Sequence, residues 1–427
     1  MEVQRDALVI GGGPAGSTAA TVLAQYGHRV LLIEKERFPR YHIGESLMPF
    51  CYFTFERIGV LDKIQKSAFP RKYSVQFASL NGKVSQPFYF FQHFDHPASV
   101  TWQVVRSEFD LMLLNNAREK GVEVWEETRA RDLIRDERGF VVGVRAENAA
   151  GEQMELRAPI TIDCSGRDAL ALSRNRWRNF DQYLKKIALW TYYRGAKRDP
   201  GLDEGATTIV FLPEKGWFWY IPLPDDVVSV GIVAEKDYLY SDTRDIPTIF
   251  AREIKKNPWI EDHLSTGKQF GEYWATGEFS YRGEHCADNG LLLAGDAFAF
   301  LDPVFSSGVF LALKSGELAG DAAHRALEAG DVSAEMFRDY GETMCYGIET
   351  MRKVVYAFYD KEFTFRDMFA KYPHIHGKLT DCLTGNLFQD FDELFKVMSE
   401  FTRLPEPLPY GRARVSDSKS GRELVTA

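Results

Sequence analysis

The sequence opens with a glycine-rich turn between two short apolar runs, and this feature constrains the fold more than any other. The uninterrupted apolar run Ala7-Leu8-Val9-Ile10 predicts a buried parallel strand, and Gly11-Gly12-Gly13-Pro14-Ala15-Gly16 follows it directly. Small residues from about 15 to 26 predict a helix, and residues 29–33 predict the next strand. The start of the chain is therefore a βαβ unit, which requires a parallel sheet covered by helices.

The spacing of Gly11, Gly13 and Gly16 is that of a dinucleotide-binding turn. The first glycine permits the tight turn, the second lets a pyrophosphate approach the backbone, and the third lets helix and strand touch. The N-terminus of the helix then offers free N–H groups to the phosphates. Glu34 ends the second strand, where its carboxylate can accept both ribose hydroxyls. We therefore predict a nucleotide site formed by Gly11, Gly13, Pro14, Ala15, Gly16, Glu34 and Lys35.

NAD and FAD share this turn, and three later motifs separate them. A second apolar strand ends in Gly295-Asp296 and resembles the motif by which FAD-dependent hydroxylases bind the ribityl chain. Asp163, in Asp-Cys-Ser-Gly-Arg, resembles the intermediate motif of the same superfamily, and Arg106 matches its flavin-contacting arginine. This order of motifs implies FAD. Because no second Gly-x-Gly-x-x-Gly follows a strand, either NAD(P)H binds without its own Rossmann domain or a separate flavin reductase supplies the reduced flavin.

The run Trp217-Phe218-Trp219-Tyr220-Ile221-Pro222 resembles the signature of the flavin-dependent halogenases, and the resemblance extends over residues 5 to 330. Two indoles that are two residues apart on a strand point to one face, so Trp217, Trp219 and Pro222 are expected to form a barrier beside the flavin. The segment from Phe300 to Gly308 also fits the halogenase pattern Phe-x-x-Pro-x-x-Ser-x-Gly, in which Pro303 contacts the cofactor. The resemblance implies that Ser307 and Gly308 hold a halide with their backbone N–H groups at the start of a helix.

The resemblance also implies a catalytic lysine. Lys72, between Phe69 and Phe77, occupies the position of the active-site lysine of halogenases, although Lys63, Lys66 and Arg71 lie nearby. Its amine can hydrogen-bond hypohalous acid or be attacked by it to give a haloamine, and burial favours the second route by lowering the pKa of the lysine. Gly44-Glu45-Ser46-Leu47-Met48-Pro49 also resembles both the halogenases and isoprenoid reductases, and implies cofactor contacts from Glu45 and Ser46.

The activity implied is halogenation of an electron-rich aromatic ring in natural-product biosynthesis, driven by FADH2, O2 and chloride or bromide. Tryptophan halogenases carry a glutamate where this chain has Phe305, so a phenol or pyrrole is the expected substrate, free or tethered to a carrier protein. Three alternatives remain open: a flavin-dependent reductase of the geranylgeranyl-reductase type, an aromatic monooxygenase on the same fold, and a protein that only carries FAD.

The fold class expected is α/β, with a Rossmann-type FAD-binding domain of the hydroxylase-like two-domain fold, an antiparallel substrate sheet and a C-terminal helical region. Aromatic or alternating runs predict strands of that sheet at 84–91, 187–193, 207–212, 217–223 and 227–234, and helices are predicted at 109–119 and 309–329. The expected division is residues 1–80, 100–170 and 285–330 for FAD, 81–99 and 171–284 for the substrate sheet, 331–410 for a helical cap and 411–427 for a mobile tail.

Composition excludes several partners. With 52 basic and 61 acidic residues among 427, the formal net charge is −9, which disfavours nucleic acid. The five cysteines are scattered without Cys-x-x-Cys spacing, which predicts free thiols and no zinc site. No stretch reaches the ~20 apolar residues of a membrane span and no signal peptide is evident, so we expect a cytoplasmic protein.

Overall fold

The computed structural model describes residues 2–277 and 280–415. Its central sheet contains the predicted βαβ unit: the strand Ala7–Ile10 lies between Val30–Ile33 and Ile160–Asp163, and all three are parallel and fully buried. Burial on both faces explains why these strands are uninterrupted apolar runs. The six strands of this sheet, in spatial order, are Ala287–Asp288, Leu291–Leu293, Ile160–Asp163, Ala7–Ile10, Val30–Ile33 and Glu123–Trp125.

The glycine turn brings the first helix, Pro14–Gln25, against the end of the first strand. Gly11 has a φ of +100°, which side chains rarely adopt, and a Cβ on Gly16 would lie 1.9 Å from the Gly11 carbonyl oxygen. The predicted close approach of helix and strand at the third glycine is therefore confirmed. The long helix Ser307–Ala329 packs along the first helix and covers the same face of the sheet.

A seven-stranded sheet forms the second layer, and it is antiparallel except between Ser74–Ala78 and Thr207–Phe211. Alternation along the strand Trp217–Leu223 divides two cores: Phe218 and Tyr220 pack with the helices behind the sheet, whereas Trp217 and Trp219 face the first core. The seven strands, in spatial order, are Lys268–Gly277, Lys186–Arg194, Val227–Glu235, Trp217–Leu223, Thr207–Phe211, Ser74–Ala78 and Phe88–Tyr89.

Three smaller sheets complete the strands. Glu2–Gln4, Gln153–Arg157, Val141–Asn148 and Thr128–Arg135 form the first, Arg178–Phe180, Tyr281–Gly283 and Ala299–Phe300 the second, and Arg71–Lys72 and Thr101–Trp102 the third. The remaining α-helices are Cys51–Ile58, Leu61–Gln65, Arg106–Glu119, Leu170–Asn175, Lys236–Leu239, Ile246–Ile254, Pro258–Leu264, Arg338–Tyr359, Phe365–Lys371, His376–Thr384 and Asp392–Met398.

The sequence predicts the α/β class, the antiparallel sheet and the helical C-terminal region, and all three are confirmed. One strand is much shorter than predicted: of residues 84–91, only Phe88–Tyr89 is a strand, because a 3-10 turn over Phe90–Gln92 follows it and buries Phe90. The 411–427 tail falls largely on residues 416–427, which lie outside the described residues, while the N–H of Gly411 donates to the Glu284 carbonyl at 2.8 Å.

The five cysteines are all free, as predicted. Among the residues described, none of the helices combines the length and apolar character needed to span a bilayer.

Candidate active site

A cavity of about 630 Å³ lies between the two large sheets. It extends from the glycine turn to the indoles of Trp217 and Trp219, and this volume lies in the range of cofactor sites. Twelve of the predicted site residues line it, from three widely separated parts of the chain: Gly11, Gly13, Pro14, Ala15, Glu34, Lys35, Glu45, Ser46, Arg106, Asp296, Pro303 and Gly308, together with the two indoles.

The glycine turn is arranged to receive phosphate. Gly13 precedes the first helix without a side-chain cap, so the first N–H groups of that helix have no side-chain partner there. A Cβ on Gly13 would come near only the Arg40 guanidinium, at 3.5 Å, which shows open space beside the backbone. The Glu34 carboxylate accepts the N–H groups of Gly12 at 2.7 Å and of Glu36 at 2.9 Å, so it stiffens the turn as well as lining the cavity.

Arg106 is buried and makes its contacts within the protein. Its guanidinium pairs with Asp110 at 2.8 Å and donates to the Ile43 carbonyl at 2.6 Å. The same group would lie 2.9 Å from a Cβ on Gly44, whose φ is +106°. Arg106 therefore fixes the backbone that leads into Glu45, in addition to lining the cavity.

The two predicted aspartates differ in position. Asp163 is fully buried and accepts the N–H groups of Ser165 at 3.0 Å and Ala171 at 2.7 Å, while its neighbours Cys164 and Ser165 line the cavity. Asp296 does line the cavity, and burial raises the pKa of its carboxyl to about 6. Gly295 lies behind Asp296, and its N–H donates to the Ser315 hydroxyl.

Glu45 and Ser46 lie together in the cavity wall but have different partners. The Tyr192 hydroxyl donates to Oε1 of Glu45 at 2.7 Å, and Oε2 makes no well-aligned hydrogen bond among the described residues. Burial raises the pKa of Glu45 to about 7. Ser46 instead shares a hydrogen bond of 2.8 Å with the Thr207 hydroxyl and accepts one from Lys72.

Lys72 is 3% exposed, in contrast to Lys66 and Arg71, whose side chains are exposed. Its ammonium donates to the Ser46 hydroxyl at 2.9 Å and to the Leu47 carbonyl at 3.2 Å. Burial lowers the pKa of Lys72 to about 7, since no carboxylate pairs with it among the described residues. Lys72 does not itself line the cavity and is separated from it by Ser46.

The two indoles of the Trp-x-Trp run line one side of the cavity, with ring centroids 6.2 Å apart. Trp219 Nε1 donates to the Ser229 hydroxyl at 3.0 Å, and its ring covers Gly231, where a Cβ would lie 2.1 Å from it. Trp217 Nε1 donates to the Tyr359 hydroxyl at 2.8 Å. Pro222 is buried in the same strand but is not among the residues that line the cavity.

The Phe300–Gly308 segment ends in the long helix. Ser306 has a positive φ of +56°, and the helix begins at Ser307 without a side-chain cap. The Ser307 hydroxyl is buried and has no hydrogen-bond partner within the described part of the chain, and Gly308 lines the cavity. The free N–H groups of this first turn give the site a partial positive charge without a basic side chain.

Several residues of the site lie outside the sequence motifs. The Tyr359 hydroxyl donates to the buried Asp302 carboxylate at 2.9 Å and so joins the C-terminal helix to the segment before Ser307. Tyr192 and Thr207 reach the site from strands of the second sheet, and their only signal is the alternation of those strands. Basic side chains outside the motifs also line the cavity: Arg40, Arg129, Arg131 and Arg174.

The residues present fit FAD. Backbone N–H groups and arginines are available for an anionic pyrophosphate, Glu34 for a ribose, and indoles for an apolar ring system.

Comparison with known proteins bears on the identity of this site. The sequence profile of the tryptophan halogenase family matches residues 6–99 and 80–401. The chain belongs to the flavin-dependent halogenase family. The resemblance predicted from the motifs is thus confirmed, and so are the enzyme class, the FAD cofactor and the use of a halide.

Individual relatives of this halogenase differ in how much of their length they share with it. It is 36% identical to the flavin-dependent halogenase armH3 of Armillaria mellea over 73% of its own chain, and spans 65% of that relative. It is 34% identical to the 1H-pyrrole-2-carbonyl-[peptidyl-carrier protein] brominase of Pseudoalteromonas luteoviolacea, covering 76% of this chain and 79% of that one. The crystal structure of the flavin-dependent brominase Bmp2 superposes with a TM-score of 0.84, at 30% identity over 93% of this chain and 97% of that one.

Proposed function

We propose that this halogenase uses FADH2, O2 and chloride or bromide to halogenate a phenol or pyrrole through Lys72. The observation that carries the proposal is the position of Lys72: a buried lysine without a carboxylate partner among the described residues, one hydroxyl away from a cavity that fits FAD. A lysine held there for structure alone would ordinarily be paired with a carboxylate.

In this proposal the glycine turn and Glu34 hold the adenosine diphosphate half of FAD, and Arg106, Asp296 and Pro303 lie along the rest of the cofactor. Asp163 acts indirectly, since its carboxylate holds the backbone of Ser165. When bound in reduced form, the flavin supplies the two electrons that, with two from the halide, reduce O2 to hypohalous acid and water.

The proposed halide site is the start of the long helix, where the N–H groups of Ser307 and Gly308 are free of intrahelical partners. A helix N-terminus attracts an anion through hydrogen bonds and its dipole, and it leaves the halide nucleophilic because no full positive charge neutralises it. Trp217 and Trp219 exclude water from the same cavity, which protects the oxidant from hydrolysis and side reactions.

Lys72 then carries the halogen. With its pKa lowered to about 7, a large fraction of the amine is neutral near neutral pH and its lone pair can attack hypohalous acid. The N–X bond forms as the O–X bond breaks, and hydroxide leaves with a proton as water. The aromatic substrate takes X⁺ from the haloamine, loses the ring proton and restores the amine.

The substrate class is proposed from the site and supported by the relatives. Phe305 is buried and apolar, so position 305 offers no carboxylate to pair with an indole cation. A phenol or pyrrole activates its ring through its own heteroatom and needs no such partner. The Pseudoalteromonas relative is named for a carrier-bound pyrrole, which supports a carrier-tethered substrate here as well.

The test combines the purified protein, a separate flavin reductase that regenerates FADH2, and bromide or chloride. Hypohalous acid is trapped with a small electron-rich phenol, and the mass of the product is measured by mass spectrometry. We expect the mass to follow the halide supplied, and activity to require the reductase. Rapid flavin reduction by NADPH and the enzyme alone, or an oxygenated product without halogen, would identify a monooxygenase or reductase instead.

A further inference from the structure

A chain of hydroxyl groups connects the cavity to the protein surface through Glu45. Tyr192 donates to Oε1 of Glu45 at 2.7 Å, and its oxygen lies 3.1 Å from the hydroxyl of Tyr41. Tyr41 is 46% exposed, whereas Glu45 is 4% exposed and lines the cavity. The three side chains therefore join bulk water to the buried site by consecutive hydrogen bonds.

The hydrogen bonds of this chain all point inward. Trp190 Nε1 donates to the Tyr41 oxygen at 2.6 Å, which leaves the Tyr41 proton free to be donated. The Tyr192 proton is already given to the carboxylate, so the bond between the two tyrosines must run from Tyr41 to Tyr192. The Glu45 carboxylate thus fixes the direction of donation from the surface toward Glu45.

Glu45 is built to hold a proton at the inner end. It is buried, and its Oε2 has no well-aligned hydrogen-bond partner among the described residues. The charge of the Arg106 guanidinium and the hydroxyls of Ser229 and Tyr192 favour the ionised carboxylate and lower the pKa of Glu45, whereas burial raises it. A carboxyl in this setting exchanges a proton at neutral pH, unlike an exposed glutamate.

The proposed reaction needs a supply of protons to the cavity. FADH2, O2 and X⁻ give FAD, HOX and H2O only with the uptake of one proton, because the two hydrogens of FADH2 and one more are needed for the two products. Glu45 is 4% exposed, and the indoles of Trp217 and Trp219 line one side of its cavity, so a proton that reaches Glu45 from solvent passes through the side chains hydrogen-bonded to it.

We propose that Tyr41, Tyr192 and Glu45 form a proton relay that delivers protons from solvent to the flavin cavity. Glu45 releases a proton into the cavity, takes one on Oε1 from the Tyr192 hydroxyl, Tyr192 takes one from Tyr41, and Tyr41 takes one from water. No tyrosinate accumulates when these transfers are concerted. The relay depends on the proposed function only in that the cavity consumes a proton.

The test uses Tyr41→Phe, Tyr192→Phe and Glu45→Gln in the FAD-loaded enzyme, with Tyr346→Phe as the control. Tyr346 is also 46% exposed, but its hydroxyl donates to the Gln389 carbonyl. We expect oxidation of bound FADH2 by O2 with bromide to slow by at least about tenfold in the first three variants and not in the control, within the usual range of acid–base catalysis. With a saturating concentration of a small buffer acid, the solvent deuterium isotope effect on FADH2 oxidation should be larger for the wild-type enzyme than for the variants.

Two further readings separate a relay from a structural role. Small buffer acids should restore the rate of Tyr41→Phe, since they replace the missing outer donor, while FAD affinity stays at the wild-type value. In the oxidised enzyme, infrared titration should show a higher pKa of Glu45 in Tyr192→Phe, because the lost hydroxyl no longer stabilises the carboxylate.

The relay is overturned if Tyr41→Phe oxidises FADH2 at the rate of Tyr346→Phe, or if its loss of rate comes with weaker FAD binding and resists buffer acids. These rates are measured from the absorbance of the flavin and do not depend on detecting halogenated product. A wild-type enzyme that yields no halogenated product therefore removes the proposed function, while the relay is still judged by the oxidation rates.

Discussion

The two ends of the cavity are formed by different kinds of polar group. Around the glycine turn the polar contacts come from the backbone, and the Glu34 carboxylate already accepts two N–H groups. Around Lys72 and Glu45 the contacts are between side chains from distant segments, and the pKa values of both groups lie at about 7 because of burial. Two buried polar atoms at this second end, Glu45 Oε2 and Gln103 Oε1, have no well-aligned hydrogen-bond partner among the described residues.

The difference separates binding from chemistry. A backbone cradle has one geometry, does not change its charge, and suits a cofactor that must be held in place. Unsatisfied side chains with displaced pKa values cost stability, and they persist where a reaction requires proton or group transfer. Substitutions at the two ends should therefore affect separate measurements.

The largest effect is expected at Lys72. Lys72→Ala should leave FAD binding and oxidation of FADH2 close to wild type and reduce halogenated product by more than ~10³-fold, or about 4 kcal/mol of transition-state stabilisation. Lys72→Arg should fail as well, because a guanidinium keeps its proton. Product is measured by mass spectrometry and oxidation by stopped-flow absorbance.

Lys66→Ala is the matched control, since Lys66 is exposed and six residues earlier. Near wild-type halogenation by Lys72→Ala would assign the chemistry to another group. Slower flavin oxidation would instead place Lys72 at the cofactor end and remove the contrast between the two ends.

At the glycine end, Glu34→Ala should weaken FAD binding by ~1.5–3 kcal/mol, the value of charge-assisted hydrogen bonds, and leave the halogenation yield per FADH2 oxidised unchanged. Fluorescence titration of FAD measures the affinity. Glu56→Ala is the control, because Glu56 is an exposed glutamate of the helix Cys51–Ile58 that is not among the cavity-lining residues, and this variant should bind FAD normally. An unchanged affinity in Glu34→Ala would show that its carboxylate serves the turn alone.

Tyr359 connects the helix Arg338–Tyr359 to the indole of Trp217 and to the segment before Ser307. Tyr359→Phe removes the acceptor of Trp217 Nε1 and the donor to Asp302, and leaves both buried groups unsatisfied. We expect a loss of ~1–3 kcal/mol in the free energy of unfolding, measured by denaturant titration. Tyr346→Phe is the control, because its hydroxyl is exposed. Equal stability of the two variants would mean that Trp217 and Asp302 find other partners.

The smallest effect is a pH dependence. With a pKa of about 7 for Lys72, the neutral fraction of its amine rises from about one-tenth at about pH 6 to nine-tenths at about pH 8. If the neutral amine carries the halogen, halogenated product per hypohalous acid formed should rise by about tenfold over this interval. Because product is divided by the hypohalous acid formed, any effect of Glu45 protonation on the rate of flavin oxidation does not enter this ratio. A ratio that falls with pH would mean that the ammonium form acts by hydrogen bonding.

Local patterns predicted a large part of this protein. The βαβ unit, the antiparallel strands and the helix at 309–329 were predicted, and most of the predicted site residues line the cavity. Strand period, glycine spacing and helix starts depend on neighbours in sequence, which is why these features could be predicted. Pro222 was predicted in the barrier but does not line the cavity, since strand alternation turns it away from Trp217 and Trp219. Tyr192, Tyr359 and Thr207 could not be predicted, since each contacts the site from a segment without a motif.

The sequence by itself determined the nucleotide turn, because only glycine tolerates a φ of +100° at Gly11, and because a Cβ on Gly16 would lie only 1.9 Å from the Gly11 carbonyl oxygen. The resemblance carried by its motifs also predicted Lys72 and the helix start at Ser307 and Gly308 as site residues. The tertiary structure alone decided that Lys72 is buried beside Ser46 and that Glu45 receives a proton donor from Tyr192. The pKa of a side chain depends on its desolvation and on neighbours brought together across the chain, and no spacing in the sequence records either.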